Sequence, residues 1–165
     1  MRVMSVKLFE VANKFGDFKL AHSHKDSNGE TVWSRHRSVL ECMETDEGMN
    51  WMENKSNHRQ IFKNEVILDK DDDATLEWFN LACDALDSYP YKYKGYFTGS
   101  KGYHIHIEVP ELAYMKQWER EGFREKFIIA FKCDKMKKTD SCLIARENFP
   151  HWKTGVMKMC LRRKK

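Results

Sequence analysis
No stretch of the 165-residue chain approaches the roughly 18 to 20 uninterrupted apolar residues that a membrane-spanning helix requires, so no membrane partner is expected. The N-terminus also lacks an apolar signal core with a small-residue cleavage site, because Lys7 and Glu10 interrupt its apolar residues, and a cytoplasmic location is the expectation. Cysteine is odd in number and scattered: Cys42, Cys83, Cys133, Cys142 and Cys160 form no CxxC or CxxH pair. That pattern argues against a zinc site and a disulfide framework and predicts reduced thiols, mostly in the core. With 3 prolines and 8 glycines, no Pro/Gly-rich linker divides the sequence, and there is no internal repeat or low-complexity tract. One domain with one continuous core, residues 1–165, is the expectation at this length.

What the chain does have is apolar and aromatic content, 41% and 13%, too rich for a disordered segment. Its net charge is only +4, but the basic residues gather late. Residues 151–165 hold six Lys or Arg and no acid, ending Arg162-Arg163-Lys164-Lys165. Such a tail suits a phosphate backbone, although a solvated terminus that aids solubility has the same composition.

Periodicity sharpens from residue 64. Residues 65–69 read as a short strand, and 74–86 place Leu76, Phe79, Leu81, Ala82, Cys83 and Leu86 so that one helical face collects most of them. Residues 91–98 and 103–109 are further strands around a short polar connection, Gly99-Ser100-Lys101-Gly102. A helix follows Pro110 to about Lys132, weakened at Gly122, and residues 141–145 and 156–161 are short strands. The order from 64 to 146 is β-α-β-β-α-β, which predicts an α/β (α+β) fold with a ferredoxin-like or RNA-recognition-type (RRM-like) sheet. Residues 1–63 are expected beside it as a smaller α/β layer, with 64–165 carrying the chemistry.

Three clusters carry that chemistry. In Val66-Ile67-Leu68-Asp69-Lys70-Asp71, alternation puts Asp69 and Asp71 on one strand face, where paired carboxylates can bind divalent cations. An acidic turn is the plain alternative, with Asp72 or Asp73 expected as a helix N-cap. In the second cluster, residues 98–107, Gly99 and Gly102 open the backbone to an anion. Thr98, Ser100 and Lys101 add donors and a charge, and His104 follows on the next strand. His104 and His106 share a strand face, yet two ring nitrogens without further Cys or His spacing are weak grounds for zinc, and no zinc is expected. The third runs from Cys133-Asp134 to Gly155. Asp134 can supply a third carboxylate, and Arg146, His151 and Lys153 can neutralise phosphates, with Arg offering a planar fork.

An hDhD strand, a Gly-basic-Gly-x-His hairpin, and an acid followed by a basic residue and an H-x-K-T-G turn occur here in that order. Together they resemble the motifs of the archaeo-eukaryotic primase superfamily, especially the small catalytic subunit of replicative primase and related primase-polymerases. The likeness runs from about Val66 to Gly155. By that resemblance Asp69, Asp71 and Asp134 are the metal ligands, with Asp140 in reserve for the third. Thr98, Lys101 and His104 fall on the triphosphate-binding motif. Arg146 and the turn from His151 through Lys153 fall on its closing basic positions. Lys70 departs from the usual apolar residue between the aspartates and implies an exposed strand end or a local ion pair. Ser100 stands where an Arg is often found. The cysteine knuckle and helical insertion of the replicative subunit are absent.

The resemblance implies a DNA primase or primase-polymerase, a nucleotidyltransferase that makes RNA or DNA primers with two Mg²⁺ or Mn²⁺ ions. Its implied partners are a single-stranded DNA template and NTP or dNTP, and an accessory primase subunit or a helicase is compatible. In that reading Lys101, His104, Arg146 and His151 hold the incoming triphosphate. Two rival readings are a catalytically silent nucleic-acid-binding module that stacks bases on Tyr91, Tyr93 and Tyr96, and a metal-dependent phosphoesterase built around His104 and His106.

Overall fold
The computed structural model describes residues 3–165, so Met1 and Arg2 of the expected N-terminal layer lie outside the described residues. That layer contains α1 (Val3–Phe15), β1 (Lys19–Ala21), β2 (Ser23–Lys25), β3 (Thr31–Trp33), β4 (Arg37–Ser38), α2 (Val39–Met43), α3 (Asp46–Asn54) and β5 (His58–Gln60). Then come β6 (Glu65–Lys70), α4 (Leu76–Asp87), β7 (Lys92–Phe97), β8 (Tyr103–Glu108), α5 (Gln117–Ala130), β9 (Leu143–Ala145) and β10 (Met159–Lys164). Two four-stranded antiparallel sheets result, in the orders β4-β1-β5-β9 and β10-β7-β8-β6, beside a separate β2–β3 hairpin.

The β-α-β-β-α-β order is present in this mixed α+β fold, but its last strand changes sheets: β9 pairs with β5, and β10 adds to β7 at the opposite edge from β6. The chain leaving α5 crosses the end of β6, where the Asp134 amide donates to the Asp69 carbonyl at 3.0 Å. From there it enters the N-terminal sheet rather than running along β6. The Arg124 side chain, with no solvent exposure, instead donates to the carbonyls of Glu65, Phe62 and Lys63 and to Asp140.

Strand alternation divides the second sheet cleanly. Val66, Leu68, Ile105, Ile107 and Tyr93 face α4 and α5, where they join Phe79, Ala82, Cys83, Leu86 and Ile128 in the main core. The predicted helical face is thus seen, except that Leu76 and Leu81 remain exposed. The α4 N-cap is Thr75, whose hydroxyl accepts from the Trp78 amide, rather than Asp72 or Asp73. Those two acids are drawn away by Lys101 and Lys70 respectively. A second apolar cluster, including Leu8, Phe18, Leu20, Val39 and Met52, holds the N-terminal layer together.

Between the two sheets the chemistry changes. Among the described residues, Ile61, Ile67 and Ile144 form the buried apolar cluster there, with Cys142 packed against it. Beside them Arg59, 2% exposed, pairs with Glu65 and, at 2.7 Å, with Glu147. His106 Nδ1 lies 3.0 Å from Glu147, and its Nε2 lies 3.0 Å from the Lys158 ammonium, which also donates to the Ala145 carbonyl. When Lys158 is protonated it has only protons to offer, so Nε2 then carries the lone pair and Nδ1 the proton donated to Glu147. His106 is therefore neutral, and burial and the Lys158 charge push its pKa well below the usual value. Burial likewise pushes Lys158 down, to about 7. Arg59 moves the other way: burial would lower it, but the Glu147 and Glu65 charges raise it.

Two expected outcomes follow from this packing. Arg59→Met should cost about 3 to 5 kcal/mol of unfolding free energy, because Glu65 and Glu147 lose their shared cation; a denaturant titration measures it. The other concerns His58, buried beside Asn57 and Ser23 and against the Trp33 ring. Its pKa is pushed down to about 3, first by burial and then by the Lys137 and Lys158 charges. An unfolded histidine takes its proton near pH 6.5, so the unfolded chain binds more protons as pH falls from 6.5 toward 3, and stability falls with it. In urea midpoints from pH 6 to 4, His58→Gln should flatten that fall by about 1.4 kcal/mol per pH unit.

Candidate functional site
The face of the second sheet turned toward the N-terminal layer carries the sequence-predicted residues. Register places Tyr96, His104 and Asp69 in one row across β7, β8 and β6, and Lys94, His106 and Ile67 in the next. Asp69, at the end of β6, is partly buried. One carboxylate oxygen lies 3.3 Å from His104 Nε2 and the other 3.8 Å from the Lys137 ammonium. Burial would raise the Asp69 pKa, but the His104 hydrogen bond and the Lys137 charge lower it, so the group is a carboxylate at neutral pH. His104 is pushed down to about 4 by burial and the Lys158 charge, against the pull of Asp69. It is therefore a neutral donor through Nε2, and its buried Nδ1 has no hydrogen-bond partner among the described residues.

Asp71 is exposed just beyond β6 and lies against Gly102. Asp134 is tied to the same strand end by its amide, while its exposed carboxylate accepts from the Met136 amide at 3.0 Å and caps the turn Lys135–Lys138. The three acids thus meet at one end of β6. Among the described residues, however, no three His, Cys, Asp or Glu side chains are gathered closely enough to enclose a metal ion. The donor set, all carboxylate oxygen, fits a hard cation such as Mg²⁺ or Mn²⁺ in its chemistry. Coordination would require Asp71 and Asp134 to turn inward and Lys137 to leave Asp69. Asp140, the reserve acid, is held by Arg120 and Arg124, which lower its pKa against the effect of burial.

The two hairpin glycines make room for protein rather than for an anion, which corrects the sequence expectation. Gly99 has φ +91°, and a Cβ there would lie 2.4 Å from the Val156 carbonyl and 2.9 Å from His151 Cβ. At Gly102 a Cβ would lie 2.7 Å from the Lys70 carbonyl and 3.0 Å from Asp71. The glycines let the 151–156 turn and the end of β6 close on the hairpin. Thr154 then donates its hydroxyl to the Gly99 carbonyl. Thr98 is buried, and its hydroxyl accepts from the Ser100 and Gly102 amides, shaping the loop.

The remaining basic residues divide. Lys101 is exposed and paired with Asp72 at 2.7 Å. His151 is half-buried at the turn, its Nδ1 accepting from the Lys153 amide and its pKa lowered by burial and the Lys153 charge. Lys153 is exposed over the Trp152 ring. Arg146 is 3% exposed and turned into the N-terminal layer, donating to the Met52 and Ser56 carbonyls and the Ser56 hydroxyl. Burial lowers its pKa to about 10. Here it joins β9 to the end of α3. Lys70 is buried and makes a local ion pair with the exposed Asp73. Lys137, Arg59 and Glu147 were not singled out by sequence reasoning; each sits in an ordinary polar run, and only the fold brings it to this face. Lys158, read from the sequence as one of the basic C-terminal residues suited to a phosphate backbone, is instead 1% exposed and held by His106 and the Ala145 carbonyl, which corrects that expectation.

No protein-family model and no curated protein matches the sequence. Solved structures do share the fold. The polymerase domain of Mycobacterium tuberculosis ligase D, in complex with DNA, superimposes with a TM-score of 0.59 at 9% identity, covering 94% of this chain and 78% of that one. The archaeo-eukaryotic primase domain of the cyanophage S-2L primase-polymerase gives 0.56 at 13% identity, covering 97% and 87%. Primase RepB′ gives 0.58 at 10%, covering 96% of this chain and 56% of that one. The chain therefore has the fold of archaeo-eukaryotic primase-polymerase domains.

The contact between hairpin and closing turn is testable. Gly99→Ala should cost about 2 to 4 kcal/mol, combining left-handed strain with a clash against main chain. Gly155→Ala, with φ +72° but open space, should cost only about 1 to 2 kcal/mol. Urea unfolding of both variants gives the comparison.

Proposed function
We propose that the chain is a template-dependent nucleotidyltransferase of the primase-polymerase kind, acting on NTP or dNTP along single-stranded DNA. The observation that carries it is the meeting, at one end of β6, of Asp69, Asp71 and Asp134 with His104 and the hairpin and turn bearing Lys101, His151 and Lys153. Charges of both signs meet there, as a metal-bound triphosphate requires. Asp69, Asp71 and Asp134 would hold Mg²⁺ or Mn²⁺, which when bound polarises phosphoryl oxygens and activates a 3′-hydroxyl. His104, as a neutral donor, fixes the Asp69 carboxylate, while Lys101 and Lys153 would neutralise the triphosphate and Ser100 and His151 would orient it by hydrogen bonds. Thr98 and Arg146 support this arrangement from behind, through the loop and the N-terminal layer.

A second reading has its own observation. Asp69 is already satisfied by His104 and Lys137, which suits a module that binds nucleic acid without catalysis. The tyrosines once assigned to stacking do not serve it, since Tyr93 and Tyr96 are buried and Tyr91 packs on Phe123 and Phe127. The phosphoesterase reading loses its metal pair, because both ring nitrogens of His106 are occupied by Glu147 and Lys158.

The pure chain, incubated with single-stranded template, Mg²⁺ or Mn²⁺ and labelled NTPs or dNTPs, with and without primer, should incorporate nucleotide. Asp69→Ala should reduce incorporation at least about a hundredfold, with the fold intact by circular dichroism. Extension by the variant at the wild-type rate overturns the assignment; strand binding without extension by the wild-type chain favours the silent module.

A further inference from the structure
The face that carries Asp69 continues, at its other end, into a cleft of about 1010 Å³ between β7, β8, the end of β10 and α1. That volume reaches the top of the range for small-ligand pockets, about 1,000 Å³, and the cleft is open rather than enclosed. Its charges come from the strand register. Arg163 on β10 is paired with Lys94 on β7, and Lys94 with His106 on β8, so two exposed cations stand directly opposite each other on one sheet face. Like charges so placed repel.

The surrounding acids do not relieve the repulsion. Glu65 and Glu147 are held by Arg59, and Glu108 stands opposite Lys92. Neither Lys94 nor Arg163 has an ion-pair or hydrogen-bonded partner among the described residues. Lys165 adds a further cation to the lining, and the opposing α1 wall presents Leu8 and Val11 beside Lys7.

On the neighbouring positions of β10 the opposite holds. Arg162 and Lys164 pair in register with Gly95 and Tyr93, face α4, and are bound to Asp84, Asp87 and the carbonyls of Asp87 and Tyr89. The basic C-terminal segment is thus half structural tie and half unneutralised charge. This corrects the picture of a uniform basic tail.

We infer that the Lys94–Arg163 cleft binds the phosphodiester backbone of a nucleic-acid strand at a distance from the Asp69 end, with sugars and bases against the α1 wall. The inference rests on the reading that a nucleic-acid strand is the substrate. It assigns that strand a subsite on β7 and β10. Cations spaced along a strand edge suit a repeating anion, and Leu8 and Val11 offer apolar contacts that a sugar or base can use and a bare inorganic anion cannot.

The test uses the full chain without metal or nucleotide. Binding of a labelled single-stranded DNA 20-mer is measured by anisotropy across a salt series for wild type, Lys94→Gln/Arg163→Gln, and the helix-side control Lys126→Gln/Lys132→Gln. Losing two phosphate contacts should weaken binding at least about tenfold at low salt and flatten the log-log salt slope by about 1.4. The control should follow the wild-type line, and inorganic triphosphate at equal phosphate concentration should compete poorly. Lines for the Lys94/Arg163 double variant and wild type that superimpose overturn the subsite while leaving the Asp69 reading standing. A loss equal to that of the helix-side control, or equal competition by triphosphate, also overturns it. Binding weakened in the Lys94/Arg163 double variant alone, together with no nucleotide incorporation by wild type, removes the catalytic reading and leaves the subsite standing.

Discussion

The two sheets of this protein are held face to face by charge more than by oil. Three isoleucines form the apolar part of their interface, and the rest is the connected set Arg59, Glu65, Glu147, His106 and Lys158. A network of this kind contributes little net stability compared with a packed apolar interface, since desolvation consumes most of its Coulombic gain. What it imposes is geometry. Each partner is directional: the guanidinium fork reaches both Glu65 and Glu147, and His106 can donate to Glu147 only in the tautomer that accepts from Lys158. The relative placement of β5, β6, β8, β9 and the residue before β10 is thereby specified atom by atom. His104 lies one alternation along β8 from His106, with its ring stacked at 6.2 Å, so the Asp69 end of the face inherits its position from the same network.

Much of the second sheet was readable from pattern, because strand alternation and helical spacing are local signals. Residues 65–70, 92–97 and 103–108 came out within a residue or two of expectation, as did the buried face of α4. The destination of β9 was not readable. Three residues centred on Ile144 carry no register information, and the choice between β6 and β5 depends on Asp134 crossing the end of β6 and on the Arg59–Glu147 pair, both contacts distant in sequence. The N-cap of α4 was misplaced for a related reason: three consecutive aspartates precede Thr75, and any of them suits a helix start locally. Lys70 and Lys101 decide the matter from outside the helix.

The candidate site shows the same division. Asp69 beside His104 follows from the register of β6 on β8, whereas sequence alternation specified only the faces within each strand, Asp69 with Asp71 and His104 with His106. The glycines of the hairpin carried an ambiguous signal, because a missing Cβ serves equally for an approaching ligand and an approaching main chain. At Gly99 and Gly102 the approaching atoms belong to the protein itself. Arg146 is ambiguous in the same way: a planar fork recognises two phosphate oxygens or several carbonyls, and here it meets the carbonyls of Met52 and Ser56.

A basic terminal strand on a sheet edge invites a purely protective explanation, since exposed Lys and Arg discourage edge-to-edge pairing. For that purpose any exposed charge serves equally, on either face of the strand. The register of β10 divides its charges instead. Arg162 and Lys164 turn to α4 and find carboxylates and carbonyls, so they dock the edge onto the helix layer. Arg163, between them in sequence, turns to the cleft and meets Lys94. Edge protection accounts for a charge at position 163; it does not account for a second cation placed opposite it on the same face, where an acid would have stabilised the pair. Repulsion retained at that row, beside acids already committed to Arg59, makes the cleft complementary to an anion that comes from outside the chain.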